Sequence, residues 1–266
     1  VAFRGSGPWG KYVTEEHARR VIVNAFSISS PGYIVDYFNM ESANFDIHPR
    51  DGIIEIPISP RSAYFRNSFQ WHRFTVALRL SSAGTIERPR LEQTLTTDSI
   101  AALGDSRRPP KRTSNYLNRL LAQLEDPLVI TAVVALRTPQ SEEVLDEAWE
   151  MWDSRISAVV LGPVGGRGTK LLTWSGGPCG TMGFDCGSAG HLRVNQFQQW
   201  VASLNGDDTD ALAAFGLSLD SLRSSSMNPL VHGFVVTASP EVIRRLQGDP
   251  RVQRVEVTDI GMDWAA

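Results

Sequence analysis

The C-terminal half of the chain states one pattern twice, and that repetition restricts the fold more than any other feature. An apolar, β-branched run from Val129 to Leu136 reads as a central strand. Thr138-Pro139 follows as a helix start, with threonine as cap and proline at the first helical position. Leu145, Ala148, Trp149 and Trp152 then recur at helical spacing, which predicts a stripe against a sheet. Glu142, Glu143, Asp146, Glu147 and Glu150 are expected to face water. Ile156 to Leu161 reads as the second strand. The pattern returns at His232 to Thr237, a strand, with Ser239 capping a helix that has Pro240 at its first position and Glu241 near its positive end. Val242, Ile243 and Leu246 are its apolar face. Asp249-Pro250 ends it, and Val252 to Val257 alternates as a half-exposed strand.

Two strand–helix–strand units predict a ferredoxin-like split βαβ sandwich, four antiparallel strands with two helices on one face. A large insertion, residues 162–230, separates the units. Its first part is glycine-rich. Its second part has Val194, Phe197, Trp200, Val201 and Leu204 on one helical face, then Leu212, Phe215, Leu219 and Leu222 for further short helices.

The run Gly233-Phe234-Val235-Val236, Ser239-Pro240-Glu241, Leu246, Asp249-Pro250, Val252, Val255-Glu256 resembles the tail of subtilisin-propeptide and related inhibitor domains. The resemblance covers about 25 residues. It implies the ferredoxin-like fold and, in that family, binding of subtilases through a sheet face and a C-terminal segment. What this chain shares with them is the strand–helix–strand shape.

The N-terminal half reads as a second α+β unit, of similar type by duplication. A linker, residues 1–12, precedes a domain at 13–127, and the ferredoxin-like domain occupies 128–266. Thr14 caps a first helix whose apolar face is Ala18, Val21, Ile22, Ala25 and Phe26. Tyr33 to Phe38, Ile53 to Ile58 and Phe74 to Leu80 are strand candidates. Ser59-Pro60 is expected to open a short helix over Arg61 to Gln70. Leu91 to Leu103 fits either class, and Asn115 to Leu124 reads as a helix.

Composition sets limits on function. The 266 residues are 42% hydrophobic and 21% charged, enough apolar content for a sizeable core. The net charge of −3 argues against a nucleic-acid partner. That charge divides unevenly, a net +3 through Pro127 and −6 from Leu128 onward. Only Lys11, Lys111 and Lys170 stand against 23 arginines, a usage typical of a high-GC genome.

Cys179 and Cys186 are separated by six residues of glycine-rich sequence that can bend, and they read as a local disulfide. They lack the paired spacing of a zinc ribbon. Gly162 to Lys170 follows a strand but fails the phosphate-loop spacing. Arg167 and Lys170 remain as anion contacts, and Trp174 as an exposed interaction residue. Asp185, His191 and Arg193 form the nearest approach to a polar site. No cofactor, metal or catalytic motif is expected.

The sequence thus points to a non-enzymatic, extracytoplasmic sensory or protein-interaction domain with a protein partner. Overall the chain resembles the ectodomain of a membrane-anchored actinobacterial protein, held through a segment outside this chain at the outer face of the cell membrane. A hydrolase or transferase with its site around the insertion is one alternative. A small-ligand sensor binding between the two halves is the other.

Overall fold

A computed structural model describes residues 15–36, 52–61, 74–80, 85–103, 119–120, 128–145, 155–162, 171–176 and 193–262. The architecture is α+β, with two antiparallel sheets and several helices. Helix α1 (Glu15–Ser29) leads into a four-stranded sheet in the order β1 (Tyr33–Val35), β2 (Ile53–Pro60), β3 (Phe74–Leu80), β4 (Ile86–Glu87). Ile54, Ile56 and Ile58 alternate along β2 and are fully buried. They lie opposite Leu78, Val76 and Phe74 of β3 and, at Ile58, Val35 of β1. The period of two puts all of them on one face. The apolar stripe of α1, including Val21, Ile22, Ala25 and Phe26, joins the same core.

Helix α2 (Leu95–Leu103) follows. Its start is set by Thr94, whose Oγ1 accepts from the Thr97 N–H at 3.1 Å. This settles the segment from Leu91 to Leu103, which its apolar pattern left open between helix and strand.

The second sheet is built from β5 (Leu128–Gln140), β6 (Arg155–Gly162), β7 (Leu172–Trp174), β8 (Leu230–Ala238) and β9 (Val252–Met262), in the order β7-β6-β8-β5-β9. Every neighbouring pair is antiparallel. Because β8 and β9 both run against β5, which lies between them, they are parallel to each other. Helix α6 (Pro240–Gly248) makes that crossover. Between β7 and β8 come α3 (Arg193–Ser203), a 3-10 turn (Gly206–Asp208), α4 (Thr209–Ala214) and α5 (Leu219–Met227).

β5 is buried on both faces from Val129 to Leu136, so it reads as a continuous apolar run rather than an alternation. One face belongs to the main core with Val242, Ile243 and Leu246 of α6. On the other, Ile100 of α2 packs with Val133, Ala158, Val160 and Val235. The main apolar cluster includes Ile22, Ile54, Val134, Trp200 and Leu246, residues drawn from both halves of the chain.

Ser239 caps α6 as its sequence requires, accepting from the Val242 N–H at 3.4 Å, with Pro240 next. Ser239→Ala is expected to lower stability by about 0.5–1 kcal/mol in urea unfolding. No loss would show that this long hydrogen bond does not stabilise the helix.

Other expectations change. Thr138 and Pro139 extend β5 instead of opening a helix, and helix geometry starts at 142. The β5–β8 register jumps between Ala135 and Gln140, so Pro139 is not asked for a ladder N–H. Ser59 and Pro60 likewise end β2, held opposite Ile34 and Tyr33. The predicted helix at Asn115–Leu124 is described only at 119–120, where it is helical. The Thr14 cap lies outside the described residues.

Two further expectations are corrected. The local disulfide expected between Cys179 and Cys186 is not found among the described residues, and both cysteines lie outside them. Without bonding geometry for the two sulfurs the covalent clip is dropped. The membrane-anchored reading is dropped as well. Among the described residues no helix is long and apolar enough to cross a membrane. The longest, α1, has 15 residues, against roughly 20 for a span, and carries Glu16, His17, Arg19 and Arg20.

Candidate functional site

The most concentrated polar chemistry lies where the first half meets β6, β7 and α3. Its central residue is Arg61, just past β2 and only 3% exposed. Its Nε donates to the Pro31 carbonyl at 2.8 Å, its Nη1 to the Ser157 carbonyl at 3.0 Å, and its Nη2 to Ser175 Oγ. Ser27 of α1 also donates to Ser175 Oγ, at 3.4 Å. One guanidinium therefore ties the turn after α1 to β6 and to the residue after β7. A planar fork with five donors is the side chain that can reach three directions at once.

A second arginine approaches the neighbouring carbonyl. Arg193, the first residue of α3, donates from Nη2 to the Ile156 carbonyl. The β6–β8 register shifts between Ile156 and Ala158. Such a bulge re-aims backbone groups locally, and here Ile156 and Ser157 each meet a guanidinium.

Glu142 completes the cluster. It is 1% exposed, so the expectation that it faces water is overturned. Its two carboxylate oxygens accept from the Arg193 N–H at 2.9 Å and the Val194 N–H at 2.6 Å. These are first-turn N–H groups that α3 itself leaves without partners. Glu142 thus acts as a cap reaching α3 from 51 residues away in sequence. Burial pushes its carboxyl above the usual range, and Glu143 adds to that. The Val194 and Arg193 N–H groups and the Arg193 charge pull the other way. Burial also weakens the hold of Arg193 on its proton, with Glu142 opposing. Beside them Gly176 sits at φ +67, and a Cβ there would come within 2.4 Å of Gln196 Oε1. The left-handed backbone favours glycine, and a side chain there would displace the Gln196 amide.

The cluster's contacts are chiefly structural. Guanidiniums meet backbone carbonyls, and the carboxylate meets backbone N–H groups. Ser175 Oγ, the hydroxyl at the centre, accepts from Arg61 and Ser27.

Two other polar groups stand apart. His17 Nε2 lies 2.9 and 3.1 Å from the two carboxylate oxygens of Asp208, which is fully buried. Asp208 Oδ2 also accepts from the Asn205 N–H at 2.9 Å, so Asp208 caps backward over the 3-10 turn rather than forward onto α4. His232 is half-buried against Gly162, where a Cβ would come within 2.8 Å of its Nε2. Burial lowers its pKa, and the Gly162 backbone partly offsets this.

Of the residues singled out from sequence, Arg193 enters the cluster. Trp174 is 2% exposed and stacks on Trp200 at 5.4 Å, with Phe197 edge-on at 5.5 Å. The segment folds its own tryptophan inward, so Trp174 is core and not an exposed contact. Arg167, Lys170, Cys179, Asp185, Cys186 and His191 lie outside the described residues. Arg61, Ser175 and Gln196 carried no sequence signal. Among the described residues no group of three or more His, Cys, Asp or Glu side chains is placed to hold a metal. No family model, no curated protein and no solved structure matches this chain.

Proposed function

We propose that the chain is a non-enzymatic protein-interaction domain working outside the cytoplasm, on a ferredoxin-like frame in its C-terminal half. The frame reading rests on the strand order β9-β5-β8-β6, antiparallel throughout, with α6 crossing between β8 and β9. It is also the shape behind the resemblance to subtilisin-propeptide-like domains. Fold alone does not assign a role.

The interaction reading rests on one observation, the outward face of the four-stranded sheet. Of the β2 residues that alternate with the buried isoleucines, Ile53, Glu55 and Ser59 reach solvent and Pro57 is buried. Ile34 and Ile53 are each 39% exposed at the two ends of this face. Thr75, Ala77 and Arg79 are exposed between and beside them on β3, and Glu55 is half-exposed. Non-obligate interfaces have this mixed apolar and polar character. The two sheets share one apolar core, and Arg61, just past β2, bonds the Ser157 carbonyl of β6, which makes the face a rigid platform that loses little freedom on binding.

The test places a photo-crosslinking residue at Ala77 in producing cells. A protein adduct of defined mass is expected, and it should disappear when Ile34→Glu and Ile53→Glu are combined in a variant whose unfolding midpoint is unchanged. No adduct, or one indifferent to those substitutions, would rule the face out. Antibodies against the chain should label intact cells; labelling only after permeabilisation would place the domain in the cytoplasm and sink the compartment half of the proposal.

A further inference from the structure

The segment between β4 and α2 leaves its main chain open. Residues Arg88 to Gln93 belong to no helix or strand. Arg88, Pro89, Arg90, Glu92 and Gln93 are exposed, and Leu91 is half-buried against the main core. From Pro89 to Glu92, the one backbone group bonded among the described residues is the Glu92 carbonyl, which accepts from the Tyr33 hydroxyl at 3.0 Å. Among those residues the Arg90 guanidinium enters no hydrogen bond or ion pair. The near flank is fixed. Arg88 donates from Nη1 to Ser29 Oγ at 3.3 Å and lies over the Phe215 ring, 5.2 Å from its centre. An endoprotease takes its substrate much as a sheet takes an added strand, through main-chain hydrogen bonds and a pocket for a side chain. Backbone already paired in a helix or sheet must open first, whereas this segment offers its N–H and C=O groups as it stands.

We propose that the Arg90–Leu91 peptide bond is a processing site for an arginine-directed endoprotease, and that the cut chain stays together as a two-chain form. Arg88 is not the target, because the bond after it leads into the Pro89 ring, which has no N–H. Water is the co-reactant. Its hydroxyl goes to the Arg90 carbonyl carbon, the C–N bond breaks, and its remaining proton goes to the Leu91 nitrogen. The pieces, 1–90 and 91–266, are joined by contacts that cross the cut. The main apolar cluster takes Ile22 and Ile54 from the first and Val134, Trp200 and Leu246 from the second. Arg61 bonds the Ser157 carbonyl and Ser175, and His17 meets the buried Asp208. Tyr33 holds Glu92, beside the new amino terminus. The site goes beyond the interaction reading and does not depend on it.

Limited digestion of the native chain with trypsin, with fragment termini mapped by mass spectrometry, tests it. The same Arg-Leu pair occurs at Arg79-Leu80 in β3 and at Arg245-Leu246 in α6, so the enzyme's sequence preference is held constant. Those two bonds lie in paired backbone, and Leu78 and Leu246 beside them are fully buried. Expected is a cut after Arg90 while both of them are intact, with the pieces on either side co-eluting in gel filtration and parting in urea. Arg90→Gln should abolish the fragment that begins at Leu91. An Arg90–Leu91 bond that outlasts either of the other two, or survives until the chain is otherwise digested, would overturn the processing site. Pieces that separate in native buffer would overturn the two-chain form. The unmodified chain carries the main comparison, so the outcome does not rest on the variant.

Discussion

Replacing Trp200 by alanine is expected to destabilise the protein by about 3–5 kcal/mol, the usual cost of truncating a large buried aromatic side chain. Trp200 is 1% exposed and has lost nearly all contact with water. It stacks on Trp174 and lies 6.3 Å from the Phe197 ring. The three rings link α3 to β7, and truncation leaves a cavity that two rigid aromatic neighbours cannot collapse to fill. Trp200→Phe keeps most of the volume and should cost roughly 1–2 kcal/mol, by analogy with modest core trimming. Urea unfolding followed by circular dichroism measures both. A loss below about 1 kcal/mol for the alanine variant would mean that this trio is not part of the cooperative core.

Arg61→Met is the second large effect, expected to cost about 3–5 kcal/mol. Methionine keeps an apolar stem but removes every donor. The carbonyls of Pro31 and Ser157 and the hydroxyl of Ser175 then lose their guanidinium partner inside the protein. Each buried acceptor left without its donor costs about 1–3 kcal/mol. Arg61→Lys keeps the charge, yet an ammonium cannot serve three acceptors in the plane of a guanidinium, and an intermediate loss is expected. The contrast is Arg245, whose pair with Glu241 is one turn apart and more than half exposed on both sides. Arg245→Ala should change stability by no more than about 0.5 kcal/mol. If the Arg61 and Arg245 variants unfolded at the same urea concentration, the buried junction would have no special weight.

These effects explain which parts of the molecule were legible beforehand. Helix α6 could be read from its nine residues and the cap before them, because its cap, its proline and its apolar stripe are neighbours in sequence. The α3 stripe at Phe197, Trp200 and Val201 was equally plain, and all three residues are buried. β5, β6, β8 and β9 were found because β-branched runs show their pairing potential locally, whereas the short β7 was read as part of the glycine-rich insertion. β9 proved longer than its alternating stretch, since its pairing with β5 continues to Met262. Where a local rule met a tertiary one, the local rule lost. Thr138-Pro139 has the grammar of a helix start, but a strand edge accommodates it. Glu142 has the composition of a solvent-facing position, but the first turn of α3 needs its oxygens.

The candidate site was harder to read for the same reason. Arg193 was noticed only through nearby Asp185 and His191, whereas its observed partners are the Ile156 carbonyl and Glu142. Arg61 looked like any other arginine in an arginine-rich chain. Its contact with Ser157 spans 96 residues and its contact with Ser175 spans 114. No spacing rule covers such distances.

Taken alone, the amino-acid sequence determined the α+β class, the strand–helix–strand unit around Ser239 with its cap, and the buried stripes of α1, α3 and α6. Each follows from interactions between residues within a turn or two of one another. The tertiary structure decided which strands became neighbours, that α2 covers the second sheet, and that Arg61, Glu142 and Arg193 meet at a bulge in β6. Those outcomes depend on bringing distant buried donors to distant buried acceptors, a requirement that arises only once the sheets have packed and water has been excluded.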